Sequence, residues 1–475
     1  MDKEDFEHKK LIELANVKVL KESELSVQDP LRPFYHLMSA SSWIGDPNGP
    51  IFFNNEYHMF FQHNPYEVSG NQCSWGHAKS SDLVHWELLP IALTNGPQDY
   101  DFMHVASGCC VINEGIPTII YTGMSPINNS SKNRKEVQCI AHSYDGMKTW
   151  SKSKYNPVVI QPPREDLVGF RDPFAWREGD TWYIIIGSGI MGVGGTALLY
   201  QSKDLIQWEY LNPLCVGFGE MWECPNFFPL GDKHVLIVSP YGPVMYAIGT
   251  YKNFHFIPDS WHQLDAGSQK SFYAPNSLED EKGRRIIWGW IMGGGSEGYP
   301  WDGAITLPRK LFLRSDGQLG IKPVPELENL RGEHVHLDSF TVKANTSIKI
   351  RDIKGKSLEI IVEFEPKASN FFGTKVRCSP DEEENIILGY NTVDKKIISG
   401  NESNSFELIS NEDTLKMHIY LDNSIIEMYV NERICFTSRI YPKRYESQGI
   451  SLFSVDGSVR VKSFDCWLMH RIWKK

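Results

Sequence analysis

Three carboxylates stand in local settings that could carry acid–base or nucleophilic chemistry. Asp46 lies in Trp43-Ile44-Gly45-Asp46-Pro47-Asn48-Gly49, with a tryptophan upstream and a strand-like run directly after it. Asp172 lies in Gly169-Phe170-Arg171-Asp172-Pro173. There the proline keeps the aspartate extended, and Arg171 can hold it ionised or reach a hydroxyl. Glu223 lies in Met221-Trp222-Glu223-Cys224-Pro225. Apolar neighbours of that kind raise a carboxyl pKa, which keeps a general acid protonated. Singly, an Asp-Pro pair is an ordinary turn. Together, the three fit what a glycosidase needs: one carboxylic acid protonates the leaving oxygen while a facing carboxylate attacks the sugar carbon.

Such groups must be held by elements that bring distant segments together. The first two-thirds of the chain reads as short strands between turn residues: Pro50–Phe53 and Tyr57–Phe61, Pro117–Thr122, and Thr181–Ile186. A turn motif recurs. Ser80-Ser81-Asp82-Leu83-Val84-His85-Trp86-Glu87 matches Ser202-Lys203-Asp204-Leu205-Ile206-Gln207-Trp208-Glu209, with Ser143-Tyr144-Asp145-Gly146-Met147-Lys148-Thr149-Trp150 between them. A period near sixty residues marks a repeated all-β unit, and such units on a ring make a propeller. Residues 30–325 divide into five of them, so a five-bladed β-propeller is expected, with the three carboxylates on inner strands facing the channel. After Pro323-Val324-Pro325 the texture changes. Residues 326–334 read as a linker, and 335–475 as a β-sandwich built from runs such as Ser357–Phe364 and Ser424–Val430. Residues 1–29 read as a partly helical extension, with Phe6, Leu11, Leu14 and Val17 on one helical face.

Bulk properties exclude several alternatives. Forty-eight basic against 59 acidic residues give a net charge of −11, the wrong sign for a phosphate backbone, so no nucleic-acid partner is expected. No run of eighteen apolar residues or basic amphipathic stretch suggests a membrane. The N-terminus lacks a signal-peptide pattern, which predicts a cytoplasmic location. Sequons occur at Asn128, Asn129, Asn345 and Asn401. Nine irregularly spaced cysteines, none in a C-x-x-C pair, read as reduced, buried thiols rather than disulfides or a zinc site. Fourteen Trp and twenty Tyr read mostly as core, with a few free to stack on a sugar. His77 reads as core or support, and Cys224 as packing beside Glu223. Gly293-Gly294-Gly295 lacks the Lys-Ser/Thr of a phosphate loop.

Trp43–Gly49 resembles the W-x-N-D-P-N-G signature of the β-fructofuranosidase family, glycoside hydrolase family 32. Arg171-Asp172-Pro173 and Glu223-Cys224 match its R-D-P and E-C motifs. Phe61–Pro65, Trp75–Ala78, Phe272–Asn276, Trp288–Trp290, Leu307–Arg309, Asn423–Glu427 and Thr437–Pro442 follow in the family's order. The resemblance implies a five-bladed propeller plus β-sandwich and a retaining hydrolase of β-fructofuranosidic bonds in sucrose-like or fructan substrates. It implies Asp46 as nucleophile, Glu223 as general acid/base and Asp172 as transition-state stabiliser. The pocket would include Trp43, Gln62, Trp75, Ser107 and Arg171, with no metal or organic cofactor. The implied partner is a fructose-containing oligosaccharide, and the sandwich could shape the cleft edge or form a homodimer contact. Two positions depart from the family: Gly45 stands where it has Asn, and Ala106 where it has an aromatic residue. They predict a fructosyl substrate other than, or beside, plain sucrose. The competing readings are a fructosyltransferase that uses a sugar acceptor and a catalytically weak carbohydrate-binding propeller.

Overall fold

The turn-punctuated runs fold into antiparallel meanders in a computed structural model that describes residues 3–127, 130–366, 368–408 and 414–473. The sequons Asn128 and Asn129 lie outside the described residues. Two units form. The first comprises residues up to Asp29, 37–264 and 272–319; the second comprises 30–36, 265–271 and 320–475.

In the first unit, five successive sheets begin with the strands Ser42–Phe53, His104–Asn113, Leu167–Glu178, Glu223–Leu230 and Tyr273–Glu279. These leading strands pack side by side, and the fifth packs on the first, so the sheets close into the expected five-bladed ring. The segment 301–305 bridges the closure. Trp301 pairs in parallel with Ser42, while Ile305 pairs with Trp290 of the fifth sheet.

Each leading strand slips register at the same depth: between Ile44 and Pro47, Val105 and Gly108, Arg171 and Phe174, Glu223 and Asn226, and Tyr273 and Asn276. Four of the five carry a proline there: Pro47, Pro173, Pro225 and Pro275. Proline has no N–H to give a ladder, so it is accommodated at a bulge, and a bulge re-aims the neighbouring side chains. Asp172, Cys224 and Ala274, each just before a proline, have φ of 63°, 45° and 44°. These left-handed backbones are costly for non-glycine residues and cluster at functional sites.

The repeated aspartate motif joins the two outer strands of the first three blades. Asp82, Asp145 and Asp204 each accept two backbone N–H bonds from residues two to four positions ahead. Leu83, Met147 and Leu205 take φ of 70°, 66° and 64°. The repeat is therefore an Asx-turn in each of the three blades, with one more residue, Gly146, in the second.

The helix Lys3–Ser26 lies along the outer strand Glu87–Leu93 of the first blade. Asn16 Oδ1 accepts the Ile91 N–H at 3.1 Å, and His8 Nε2 accepts the Thr94 N–H at 3.1 Å, which covers an otherwise open sheet edge. The buried face is His8, Ala15, Val19 and Ser26, whereas Phe6, Leu14 and Val17 are 58%, 53% and 65% exposed. The apolar face read from the sequence thus points to solvent, because the helix docks through its small and polar residues instead.

In the second unit, a seven-stranded and a six-stranded sheet enclose one apolar core that includes Leu358, Ile360, Phe372, Leu388, Ile419, Met428 and Leu452. His36 is fully buried between Asp422 (2.9 Å) and Glu427 (3.2 Å). Asp422 also accepts the N–H groups of Phe34, Tyr35 and His36. All nine cysteines are free and buried. Among the described residues, no helix is long and apolar enough to cross a membrane.

Candidate active site

The bulges aim one residue set into the channel of the first unit. Asp46 comes from the first leading strand, Ser107 from the second, Arg171 and Asp172 from the third, Glu223 and Cys224 from the fourth, and Tyr273 from the fifth. Cys224 marks the convergence. Its backbone N–H donates to Asp172 Oδ2 at 3.1 Å, and its thiol lies 3.7 Å from Asp46 Oδ2. The structure thus gathers the three carboxylates singled out in the sequence.

Asp46 is oriented by a short relay. Gln62 Nε2 donates to Ser107 Oγ at 2.6 Å, and the Ser107 hydroxyl donates to Asp46 Oδ2 at 2.6 Å. Burial pushes the Asp46 carboxyl up to about 7; the Ser107 bond opposes the shift, and the Glu223 charge adds to it. Asp172 is buried, and its backbone N–H donates to Thr122 Oγ1 at 2.9 Å. Burial raises its carboxyl too, against the pull of Arg171 and with the charges of Glu223 and Asp46 adding.

The apolar setting expected around Glu223 is not what its carboxyl meets. Trp222 turns into the core, where its indole donates to the Phe218 carbonyl at 2.9 Å and packs on Trp261. The Glu223 carboxyl lies among polar groups instead. Oε1 accepts from Arg171 Nε and Nη2 at 3.1 and 2.9 Å, and Oε2 accepts from the Tyr273 hydroxyl at 2.8 Å. Arg171 is fixed on its other side by Glu136 (2.8 Å) and by the Tyr241 hydroxyl. Arg171 thus lies within 4.0 Å of three carboxyl groups, those of Asp172, Glu223 and Glu136, and Arg134 pairs with Glu136. Ionised, Asp46 and Asp172 suit a transition state that develops positive charge on the sugar ring.

The aromatic candidates divide. Trp43 is almost buried and meets Trp290 edge-on at 5.4 Å. Its indole lies over Gly45: a Cβ on Gly45 would sit 2.3 Å from Trp43 Cη2. The volume that an asparagine at 45 would claim is thus filled by an indole. Trp75 does not line the channel, a correction to its reading as a substrate contact. It has no exposed surface, and its indole donates to the Ala106 carbonyl at 3.0 Å, which steadies the segment carrying Ser107. His77 is likewise buried, 3.0 Å from His58. Three residues that the sequence reading gave no role complete the site: Glu136, Tyr241 and Tyr273. Tyr273 sits in Phe272–Asn276, a segment that had already stood out, whereas nothing local marks Glu136. Among the described residues, no cluster of His, Cys, Asp and Glu is arranged to hold a metal ion.

Comparison with known proteins places these features in a family. Residues 36–323 match the description "Glycosyl hydrolases family 32 N-terminal domain", and residues 326–468 match "Glycosyl hydrolases family 32 C terminal". A sucrose-6-phosphate hydrolase of Zymomonas mobilis is 33% identical over 92% of this chain and 92% of its own length. A raffinose invertase of Escherichia coli is 32% identical over 92% of this chain and 95% of its own. The crystal structure of fructan 1-exohydrolase IIa from Cichorium intybus superposes with a TM-score of 0.85 at 27% identity, covering 93% of this chain and 98% of that one.

Proposed function

The chain belongs to glycosyl hydrolase family 32, and from that premise we propose that it hydrolyses β-fructofuranosidic bonds with retention, using Asp46, Glu223 and Asp172. The observation that carries the reading is the convergence at Cys224, which bonds both aspartates and directly follows the glutamate. Asp46 attacks the anomeric carbon of the fructosyl unit as the carbon–oxygen bond to the leaving group breaks. Glu223 gives its proton to that oxygen. The resulting fructosyl ester on Asp46 is then hydrolysed: Glu223 takes a proton from water, whose oxygen attacks the same carbon and frees Asp46. Two inversions return the original configuration. Asp172 bonds the ring hydroxyls as positive charge grows, and Arg171 holds Glu223 in place.

Related proteins support the substrate class. The curated relatives include the sucrose-6-phosphate hydrolase and raffinose invertase described above, and the chicory enzyme has also been solved with 1-kestose. The substrate here is a fructose-terminated oligosaccharide. The Trp43 indole over Gly45 makes that part of the pocket an apolar wall in place of an amide, which favours substrates other than, or beside, sucrose.

The test is a product screen on sucrose, sucrose 6-phosphate, raffinose, 1-kestose, inulin and levan, with anomer detection by NMR. Free fructose released first as the β-anomer is expected on at least one of them. Asp46→Asn and Glu223→Gln should each lower kcat by about a thousandfold or more, as loss of a nucleophile or acid does. Release of the α-anomer first, or full activity in Asp46→Asn, would overturn the assignment.

A further inference from the structure

The second blade carries a cleft on its outer side that the catalytic chemistry does not use. It encloses about 600 Å³ and lies against Gln98, Tyr100, His142, Tyr144, Tyr155 and Ile206. Ser107 sits on the leading strand of this blade, whereas the cleft surrounds its outermost strand, Ser151–Lys152. At about 4.8 Å per strand, three strand spacings separate them by roughly 15 Å.

Two of its walls are exposed aromatic rings on braced backbone. Tyr144 is 74% exposed and Tyr155 is 53% exposed. Tyr144 belongs to the Asx-turn of the second blade. Asp145 Oδ1 accepts the Lys148 and Thr149 N–H groups, and Ser143 Oγ accepts the Met147 N–H. Tyr155 is held by its N–H to Ser153 Oγ, and the adjoining Asn156 bonds Ile140 in both directions and the Tyr100 hydroxyl.

The same turn in the first and third blades provides an internal control. At the position of Tyr144 those turns carry Ser81 and Lys203; their aspartates accept N–H groups two and three residues ahead, whereas the second-blade turn holds one more residue, Gly146, and its aspartate accepts from three and four ahead. The turn therefore does not need an aromatic ring there. In the second blade a ring stands there and forms part of the cleft wall.

Lys154 also lines the cleft, its ammonium 5.1 Å from the centre of the Tyr155 ring, and the remaining polar groups suit a neutral ligand. The Lys152 ammonium at the floor is fully engaged, by Asp101 at 2.7 Å and by the carbonyls of Thr94 and Gly96. His142 uses Nδ1 on Thr118, and burial lowers its imidazole below the ordinary value, so it is uncharged at neutral pH. Flat aromatic faces beside uncharged donors and acceptors are what the C–H faces and hydroxyls of a sugar match.

We propose that this cleft is a second, non-catalytic carbohydrate site that holds a neutral oligosaccharide, with Tyr144 and Tyr155 as its stacking platform. The choice of a fructan as ligand rests on the family 32 reading; the existence of the site does not. A braced backbone lowers the ordering cost of binding, so the site adds affinity for long chains and none for sucrose.

The test uses the full-length protein carrying Asp46→Asn, so that probes are not consumed, in native gels containing inulin or levan. Retardation by at least one polymer is expected. Adding Tyr144→Ala and Tyr155→Ala should weaken that affinity at least tenfold, while Tyr144→Phe with Tyr155→Phe should keep most of it. In the otherwise wild-type enzyme, the paired alanine changes should leave kcat/KM on sucrose within about twofold. Equal retardation with and without the tyrosines, or no retardation by either polymer, overturns the site. If no fructoside is hydrolysed but the tyrosine-dependent retardation persists, the catalytic reading fails and the site stands.

Discussion

At the residue scale, the proposed nucleophile is tuned by a hydroxyl. Ser107 donates to Asp46 and opposes the burial that lifts its carboxyl to about 7. Removing it should lift that value further. Activity needs Asp46 ionised, so the acidic limb of kcat/KM in Ser107→Ala should move to higher pH. The loss should then be several-fold greater at pH 6 than at pH 8, because below its pKa the ionised fraction falls about tenfold per unit and well above it hardly at all. A pH profile with an unmoved acidic limb would refute the relay. Gly45 supplies a second prediction. A methyl there meets the Trp43 ring at 2.3 Å, whereas one on Gly70 meets the same ring at 3.2 Å. Gly45→Ala must displace the indole and should lower kcat/KM about tenfold or more, since a shift of about 1 Å near the chemistry has costs of that order. Gly70→Ala should lose much less. Steady-state kinetics of the two variants side by side decide whether the indole is the wall proposed.

At the element scale, bulges and Asx-turns divide the work. The bulge in each leading strand aims chemistry inward, and the aspartate turn in three blades fastens the outer strands. Asp204 Oδ1 accepts two N–H bonds, from Ile206 at 2.9 Å and Gln207 at 2.8 Å. Asp204→Ala leaves both without that partner and should cost about 1–2 kcal/mol. For a chain of this size the melting temperature should fall by about 1–2 °C. Because this turn joins outer strands, kcat on any substrate should stay within about twofold. A large loss of activity with an unchanged melting temperature would contradict that division.

At the scale of the whole molecule, a buried ion pair holds residues 30–36 within the second unit, to which they belong. His36 is held by Asp422 and Glu427, whose hydrogen bonds outweigh the burial that would discharge it, so its pKa is raised. A raised histidine value contributes stability that is complete below its unfolded value near 6.5. That contribution is lost as pH rises through the folded value. His36→Gln should therefore flatten the alkaline decline in stability. At pH 6 it should cost about 3–5 kcal/mol, because two buried carboxylates lose their cation. Thermal unfolding from pH 5 to 9 reads both effects. A variant that melts with wild-type pH dependence would show that the imidazole is neutral.

The sequence by itself determined a good deal. The period near sixty residues and the alternating runs are local properties, and they suffice for a five-bladed all-β ring followed by a sandwich. Asp46, Asp172 and Glu223 were legible because each stands one or two residues before a proline, and that proline is accommodated at the bulge that aims it. Only tertiary structure decided the rest. Glu136, Tyr241 and Tyr273 act on Arg171 and Glu223 across 35, 70 and 50 residues of chain. Trp75 and the N-terminal helix misled for the opposite reason. An indole or an apolar stripe has the same local pattern whether it faces a core, a channel or water, and the packing of other segments settles which. The surroundings of Glu223 make the same point. Its sequence neighbours are apolar, but its bulge turns the carboxyl away from them and toward an arginine from another blade.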